Sequence, residues 1–531
     1  MTSRTVGAVL REQVAARGDT TMMVCDDDRL TYADADARSR AVARGLLAQG
    51  AGHGTHVGIL FPTGVDFVVT WLAVTRIGAV AVPISTFSTA DELRGLLFAA
   101  DIDALLTIDT YLGHDYVARL RDAVGADLSQ PGRLLVRAAP ALRRVFVAGT
   151  SDRVHAEHTM DALRAAGASV DDAHCDAVEA DVSPADRMVI VHTSGSTSAP
   201  KGVIHAHGPL IHHVDNLNQL RGLHAGVKLF SNSPLFWIGG LGYNVVGTLV
   251  AGATLVCSIS PDASATLDLI ERERPQLVNG YVQSIANLVV DPSFAARDFS
   301  SIRSGNLYPL LPDDIRPVDP ELRHNMLGLT ETGSVCLMCP DERDQPERYR
   351  GSFGTPVPEL EARVIDPETF DECAIGHTGE LWLRGALLME GYYGRERHEV
   401  FADEWFRTGD LFHVDADGFF YFHGRRGDMI KTGGANVSPR EVEGVIRDLT
   451  GGLVPIVFGL DDAERGQIVV AVVVAAADAP VDVEGLRVDL KAKLSAYKVP
   501  RTIVRIAPDA IPVLSSGKPD MARLRELVGG G

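Results

Sequence analysis

"MVIVHTSGSTSAPKG", residues Met188 to Gly202, runs four apolar residues straight into a loop of hydroxyls, glycines and a lysine. Met188 to Val191 predicts a buried strand, and the Gly, Ser, Thr and Pro that follow predict its end in a loop. Thr193, Ser194, Ser196, Thr197 and Ser198 offer hydroxyl donors, Gly195 and Gly202 let backbone N–H groups turn toward a ligand, and Lys201 adds positive charge. Such a loop suits a polyanion, most naturally the phosphates of a nucleotide. The spacing is not that of a Walker loop, because no Gly-Lys-Ser/Thr closes it. A flexible surface linker has the same composition, so the flanking sequence has to decide.

Working outward toward the N-terminus, Tyr32 to Gln49 predicts a helix closed by Gly50, His56 to Phe61 a strand, and Val65 to Ile77 a helix closed by Gly78. Val80 to Ile84 predicts the next strand, Thr89-Ala90-Asp91-Glu92 has the form of a capping box, and Ala104 to Ile108 predicts another strand. This alternation means βαβ units and a parallel sheet, hence an α/β fold. Toward the C-terminus, Thr254 to Val256 and Leu277-Val278 continue the pattern. From about residue 350 the texture changes to short strands with Gly and Pro turns. The last hundred or so residues predict a small α+β unit, with strands at Pro455 to Phe458, Ile468 to Ala475 and Thr502 to Ile506 and a helix between Val483 and Leu494. A domain joint is expected near Gly424 to Met429, giving units of 1–425 and 426–531.

A chain of 531 residues with 46% hydrophobic content exceeds one core, so at least two domains are expected. The formal net charge of -20, with no compensating basic block, argues against nucleic acid or an anionic membrane as the main partner. Any phosphate site must therefore be local. The N-terminal residues lack a signal-peptide core, and the most apolar run, Ile468 to Ala476, is too short to span a bilayer. A cytoplasmic enzyme is the expectation. Six scattered cysteines suggest no disulfide framework.

Four further stretches carry chemistry. In "LGLTETGS", Leu327 to Ser334, Thr330 can donate to a phosphate oxygen while Glu331 holds a divalent ion, and hard oxygen ligands beside phosphate are what Mg²⁺ prefers. "WFRTGDLFHVDADGFFYFHGRRGD" places Asp410 at a strand end and Arg425 at the joint, and a carboxylate there can accept hydrogen bonds from a ribose diol. "KTGGANVSPREVE" joins the Gly433-Gly434 pair to a helix start at Ser438-Pro439. "SSGKPDMARLRE" sets Lys518 on a Gly-flanked turn. Each stretch alone has a dull reading, as a helix cap, a turn residue or a solvated lysine.

In this order and spacing, however, the motifs resemble the adenylate-forming superfamily of acyl-CoA synthetases, luciferases and nonribosomal peptide adenylation domains. The likeness extends over essentially the whole chain, including "LTYADADARSRAVARGLLAQG", "GATLV" and "LSAYKVPR". It implies a large N-terminal part of two α/β sheets and a distorted β-barrel, followed by a small mobile lid. It also implies ATP, Mg²⁺ and CoA as reactants and cofactors, and a small-molecule carboxylic acid as substrate. An apolar acid, whether fatty, aromatic or polycyclic, is expected to become acyl-AMP and then acyl-CoA, with AMP and pyrophosphate released. By the same resemblance Thr193 to Lys201 embrace the β- and γ-phosphates, Thr330 touches the α-phosphate, and Glu331 holds Mg²⁺. Asp410 and Arg425 bind ribose, and Lys518 bridges the attacking carboxylate and the α-phosphate. Gly427 is the lid pivot, Gly433 and Gly434 flank a pantetheine tunnel, and Lys431 assists the thioester step.

Some positions depart from the family pattern. His192 stands where Tyr is common, Ser198 replaces a glycine, Leu327 takes the place of the aromatic residue that stacks on adenine, and "LYPLLP" (Leu307 to Pro312) replaces a Gly-Gly-Ala-Pro-like stretch. Pocket walls are expected around Trp237 to Tyr243, Asn279 to Ser284 and Ser304 to Leu310, with Trp237 and Tyr281 as candidate pocket residues. Cys336 and Cys339 are set aside as half a zinc site without its other half, and His205, His207, His212 and His213 are assigned to packing or surface. Transfer to a carrier-protein phosphopantetheine, a luciferase-like oxidation and a non-catalytic homologue are the alternatives. The oligomeric state stays open, a homodimer being one option.

Overall fold

The computed structural model describes the chain except residues 1–3, 150–151, 194–200, 433–434, 477–480, 495–496, 515–516 and 530–531, and the side chains of residues 283, 284, 435 and 436. Two largely parallel sheets form its bulk. The first runs, edge to edge, Ser304–Gly305, Leu277–Asn279, Lys228–Ser231, Thr254–Cys257, Thr21–Cys25 and Asp28–Thr31. The second runs Gly391–Tyr392, Lys201–Ala206, Arg187–Thr193, Val80–Pro83, His56–Leu60, Ala104–Ile108 and Arg144–Ala148. Between Val80–Pro83 and Arg144–Ala148 its strands are parallel, as the alternation predicts, and the Thr193 and Lys201 side carries an antiparallel hairpin.

The helix Val65–Arg76, "VDFVVTWLAVTR", is apolar on nearly every face, and every residue of it except Asp66 is buried. A helix apolar all round belongs inside a core, and this one packs in the cluster that joins elements of both sheets. Its last residue, Arg76, is covered by protein and bonds Glu179 at 2.8 Å and Asp36 at 2.7 Å. The helix Tyr32–Ala48 opens with a capping box of Thr31 and Asp34, and Ala90–Ala99 opens with the predicted box of Thr89 and Glu92. Each box satisfies two otherwise orphaned N–H groups.

Beyond the sheets, the hairpin Leu327–Leu329 and Ser334–Met338 pairs with Thr355–Pro356. A second antiparallel sheet comprises Glu361–Ile365, Gly379–Arg384, Trp405–Val414, Phe401–Ala402 and Phe420–Arg425. These two small sheets share one core and are tied by the Ser352–Tyr421 bridge, which corresponds to the expected distorted barrel. The last part has cores of its own, in which the helices Pro439–Leu449 and Val483–Lys493 cover the sheet Ala435–Val437, Ile430–Thr432, Gly466–Val474, Val454–Asp462 and Thr502–Ile506. No helix among the described residues is long and apolar enough to cross a membrane.

Four histidines, His192, His205, His207 and His213, lie in the interior, and burial pushes each down to about 4. A histidine held neutral in the fold titrates near 6.5 once unfolded, so the unfolded chain takes up these protons first. The associated stability is complete above pH 6.5 and is lost as pH falls toward 4, roughly 3 kcal/mol per fully shifted group. Melting temperature measured from pH 7 to 4.5 is expected to fall steeply below 6, and the quadruple apolar variant is expected to flatten that slope.

Candidate active site

The strand Arg187–Thr193 turns back on Lys201–Ala206 with Thr193 opposite Lys201. The donor-rich loop thus begins and ends at one point on the sheet edge; Ser194, Gly195, Ser196 and Thr197 lie outside the described residues. Lys201 places its Nζ 5.0 Å from the ring centre of Tyr392, the residue that pairs with Val203 on the neighbouring strand. Tyr392 donates its hydroxyl to Glu331 Oε1 at 2.7 Å. Burial, then the charge of Glu331, raises its phenol above the usual range, so it stays a donor.

Thr330 and Glu331 are not a helix cap but the tip of the hairpin Leu327–Leu329/Ser334–Met338. Three residues hold that tip. Thr332 Oγ1 receives Leu329 N–H at 3.2 Å and donates to Ser334 O at 2.6 Å. His205 Nε2 donates to Thr330 O at 2.7 Å, and Met389 N–H donates to Glu331 O at 2.8 Å. His205 is buried, as its packing assignment expects, and also anchors this turn.

Asp410 departs from expectation in one respect. It lies inside the strand Trp405–Val414, not at its end, because the backbone continues pairing past it: Asp410 opposes Arg425 and Leu411 opposes Gly424. Arg425 Nε donates to Asp410 Oδ1 at 2.9 Å, with the carboxylate 3% exposed and the guanidinium 58%. Burial raises the Asp410 carboxyl, and Arg425 works against that rise. Lys518 joins them from the C-terminal part. It keeps a face to solvent, yet surrounding protein, then the like charge of Arg425, lowers its ammonium below the usual lysine range. The structure therefore groups Glu331, Tyr392, Asp410 and Arg425, with Asp428 and Lys201 at the margin and the exposed Lys518 within range of the Arg425 charge.

Trp237 and Tyr281 also meet, edge to face, at 5.4 Å between ring centres. Asn232 fixes the Tyr281 backbone by donating to its carbonyl at 3.0 Å and receiving its N–H at 2.9 Å. Just after Trp237 the chain winds as a π-helix, Gly239–Val246, a geometry frequent at functional sites. Gly242 in it touches the Gly333 carbonyl so closely that a Cβ would collide, which seats the aromatic pair's segment against the Thr330–Glu331 turn.

Other predicted residues stand apart. Lys431 is exposed on Ile430–Thr432, and its backbone N–H bonds Gln467 at 2.9 Å; no contact among the described residues joins it to the cluster. Gly433 and Gly434 lie outside the described residues. Gly427 sits in the turn after Arg425 with open space where a Cβ would be. Leu327 is partly buried at the start of its hairpin strand. Ser438 caps Pro439–Leu449 by position only, since its hydroxyl donates to His423 O instead. Among the described residues there is no cluster of three metal-ligating side chains. Glu331 forms no ion pair there either, and one carboxylate left for a hard cation that takes its other oxygens from phosphate fits Mg²⁺.

Sequence reasoning missed Tyr392, although "MEGYYGRER" (Met389 to Arg397) marks it with a Gly-aromatic pair among short strands. Tyr392→Phe removes the donor that orients Glu331. It is expected to raise the Mg²⁺ concentration for half-maximal activity roughly three- to tenfold, with melting little changed; an Mg²⁺ titration checks this.

Comparison with known proteins bears on the family and the fold. The sequence profile described as "AMP-binding enzyme" matches residues 10–393, and that described as "AMP-binding enzyme C-terminal domain" matches residues 441–518. The chain is 30% identical to a feruloyl-CoA synthase of Amycolatopsis sp over 92% of each chain. It is 29% identical to the indoleacetate–CoA ligase of Aromatoleum aromaticum, over 94% of this chain and 93% of that one. The fold is similar to the anthranilate CoA ligase AuaEII in complex with anthranoyl-AMP, with a TM-score of 0.81, 23% identity, and 99% of this chain and 97% of that one covered. The protein belongs to the AMP-binding enzyme family, within the adenylate-forming superfamily, as an AMP-forming acid–CoA ligase.

Proposed function

We propose that this ligase activates an apolar carboxylic acid with ATP and Mg²⁺ and passes the acyl group to CoA, using an N-terminal part of residues 1–425 and a lid of residues 426–531. The observation that carries the reading is the Asp410–Arg425 ion pair beside the Tyr392–Glu331 hydrogen bond, with Lys518, from the lid, within range of the Arg425 charge. A carboxylate attacking an α-phosphate is repelled by it, so positive charge at the developing anion and correct placement must lower the barrier. Lys518 supplies that charge, touching both the attacking oxygen and the α-phosphate. Asp410 accepts the ribose hydroxyls while Arg425 orients it, and Thr330 donates to the α-phosphate. Lys201 and the loop before it neutralise the terminal phosphates. Glu331, oriented by Tyr392, would hold Mg²⁺, which supplies charge neutralisation on the phosphates when bound.

Closure of the lid excludes water from the mixed anhydride. Rotation about Gly427 would then carry Lys518 away and bring the Lys431–Gly434 segment in as the wall for the thiol arm. Relatives named for indoleacetate and ferulate make aromatic acids the first to try. Pyrophosphate release across a panel of aromatic and aliphatic acids, followed by thioester formation with CoA or with a carrier-bound phosphopantetheine, tests the reading. Acid-dependent release with CoA thioester is expected; thioester only on the carrier would reassign the acceptor. A cytoplasmic location completes the proposal.

A further inference from the structure

The cavity walled by Tyr243, Asn279 and Gly305 contains Arg221, a cation without a carboxylate partner among the described residues. It lies at the carboxyl ends of the parallel strands Leu277–Asn279 and Ser304–Gly305, where open α/β sheets bind ligands. Tyr243, from the π-helix that follows Trp237, forms one wall, and Met326, directly before the hairpin that leads to Thr330, forms another. All three segments expected to wall the acyl pocket therefore reach this space. Gly305 lines it as well, at a φ of 130° where a Cβ would strike the Val278 carbonyl of the neighbouring strand.

Arg221, the last residue of the helix His207–Arg221, enters this cavity. Its guanidinium lies flat on Tyr243, 3.8 Å from the ring centre. Nη2 donates to Tyr243 O at 2.6 Å and to Asn218 Oδ1 at 2.8 Å, which fixes the group in place. Nη1 is buried and has no partner among the described residues. Among the described residues no carboxylate pairs with Arg221; Glu342, across the cavity, instead accepts the Gly305 N–H at 3.0 Å. Burying a cation unpaired is costly, and such groups are retained where a ligand supplies the partner. Leu277, Met326 and Met338 give the wall its apolar part, beside the polar side chains of Asn279, Asn306, Arg323, His324, Asp341 and Glu342.

We propose that Arg221 is a specificity residue that binds a second carboxylate, carried by the substrate at the end remote from the one that is adenylated. The preferred acid is then an apolar-bodied dicarboxylic acid, held by a charge-assisted hydrogen bond from Nη1. This rests on the ligase reading, in which the acid lies between the Trp237–Tyr281 pair and the Thr330–Glu331 turn.

The test compares matched acids, hexanoate with adipate and phenylacetate with 4-carboxyphenylacetate, by pyrophosphate release at saturating ATP, for the native enzyme, Arg221→Met and Arg221→Lys. In at least one pair the native enzyme is expected to favour the diacid in kcat/KM by roughly tenfold or more, because a site built for an acceptor discriminates against the analogue lacking it. Arg221→Met is expected to abolish or invert that preference while still adenylating the monoacid, and Arg221→Lys to keep part of it. A native preference for the monoacid in both pairs, or an unchanged ratio in Arg221→Met, overturns the proposal. A change confined to the KM for ATP also overturns it, and places Arg221 at the nucleobase. Should Arg221→Met lack a cooperative melting transition, the native ratio and Arg221→Lys decide. Native enzyme that releases pyrophosphate with no acid at all refutes the ligase reading as well, whereas release with monoacids alone refutes only this one.

Discussion

Lys518→Ala is expected to lower acid-dependent pyrophosphate release roughly a thousandfold, while transfer from preformed acyl-AMP to CoA stays within about threefold. The asymmetry follows from where the lysine sits. It lies on the C-terminal part, within range of the Arg425 charge. Its charge serves only the step that forms the anhydride, after which the lid carries it away. Lys518→Arg retains charge but not the compact ammonium, and is expected to recover only a small part of the rate. The pH dependence adds an independent signature. Burial, then repulsion from Arg425, lowers the Lys518 pKa in the free enzyme. The alkaline limb of kcat/KM, which reports free enzyme, is therefore expected below the usual lysine range. Bound nucleotide brings negative charge next to the ammonium and raises its pKa, so the corresponding limb of kcat should lie at higher pH. Loss of the alkaline limb in Lys518→Ala would tie it to this group, and its persistence would assign it elsewhere.

Asp410→Ala is expected to weaken ATP binding about a hundredfold or more, the worth of two charge-assisted hydrogen bonds to a ribose diol. Melting should move only slightly. The Asp410 carboxylate is itself desolvated in the fold, and Arg425, once orphaned, is 58% exposed and can be hydrated. A purely structural residue at a position 3% exposed would do the opposite, costing stability before affinity. Nucleotide titration by calorimetry, paired with a thermal melt of the same variant, separates the two. Asp410→Asn keeps an acceptor and is expected to fall between the native protein and alanine.

How far the sequence foretold this depended on the kind of signal. The helix Val65–Arg76 and the strands around it were readable because periodicity and closing glycines report local structure directly. The hairpin at Thr330–Glu331 was less so: its two residues also suit a helix cap, and what decides is a distant histidine, His205, reaching its carbonyl. Asp410 was expected at a strand end, yet Gly409 before it takes φ of 74° and the strand continues across it. Tyr392 and Arg221 were missed for one physical reason. Neither stands in a string pattern, and each matters through what the fold brings to it, Glu331 in one case and a cavity in the other. Trp237 and Tyr281 were named separately from two pocket segments, and only packing shows them as a pair.

The most direct measurement follows an oxygen atom. Incubation with the acid labelled with oxygen-18 in its carboxylate, ATP and CoA should yield AMP with one labelled oxygen on its phosphorus, because the carboxylate oxygen that attacks the α-phosphate leaves with AMP when the thiol takes the acyl group. AMP without label, or ADP and labelled inorganic phosphate in its place, would show that the acid never bonded to the α-phosphate and would contradict the account.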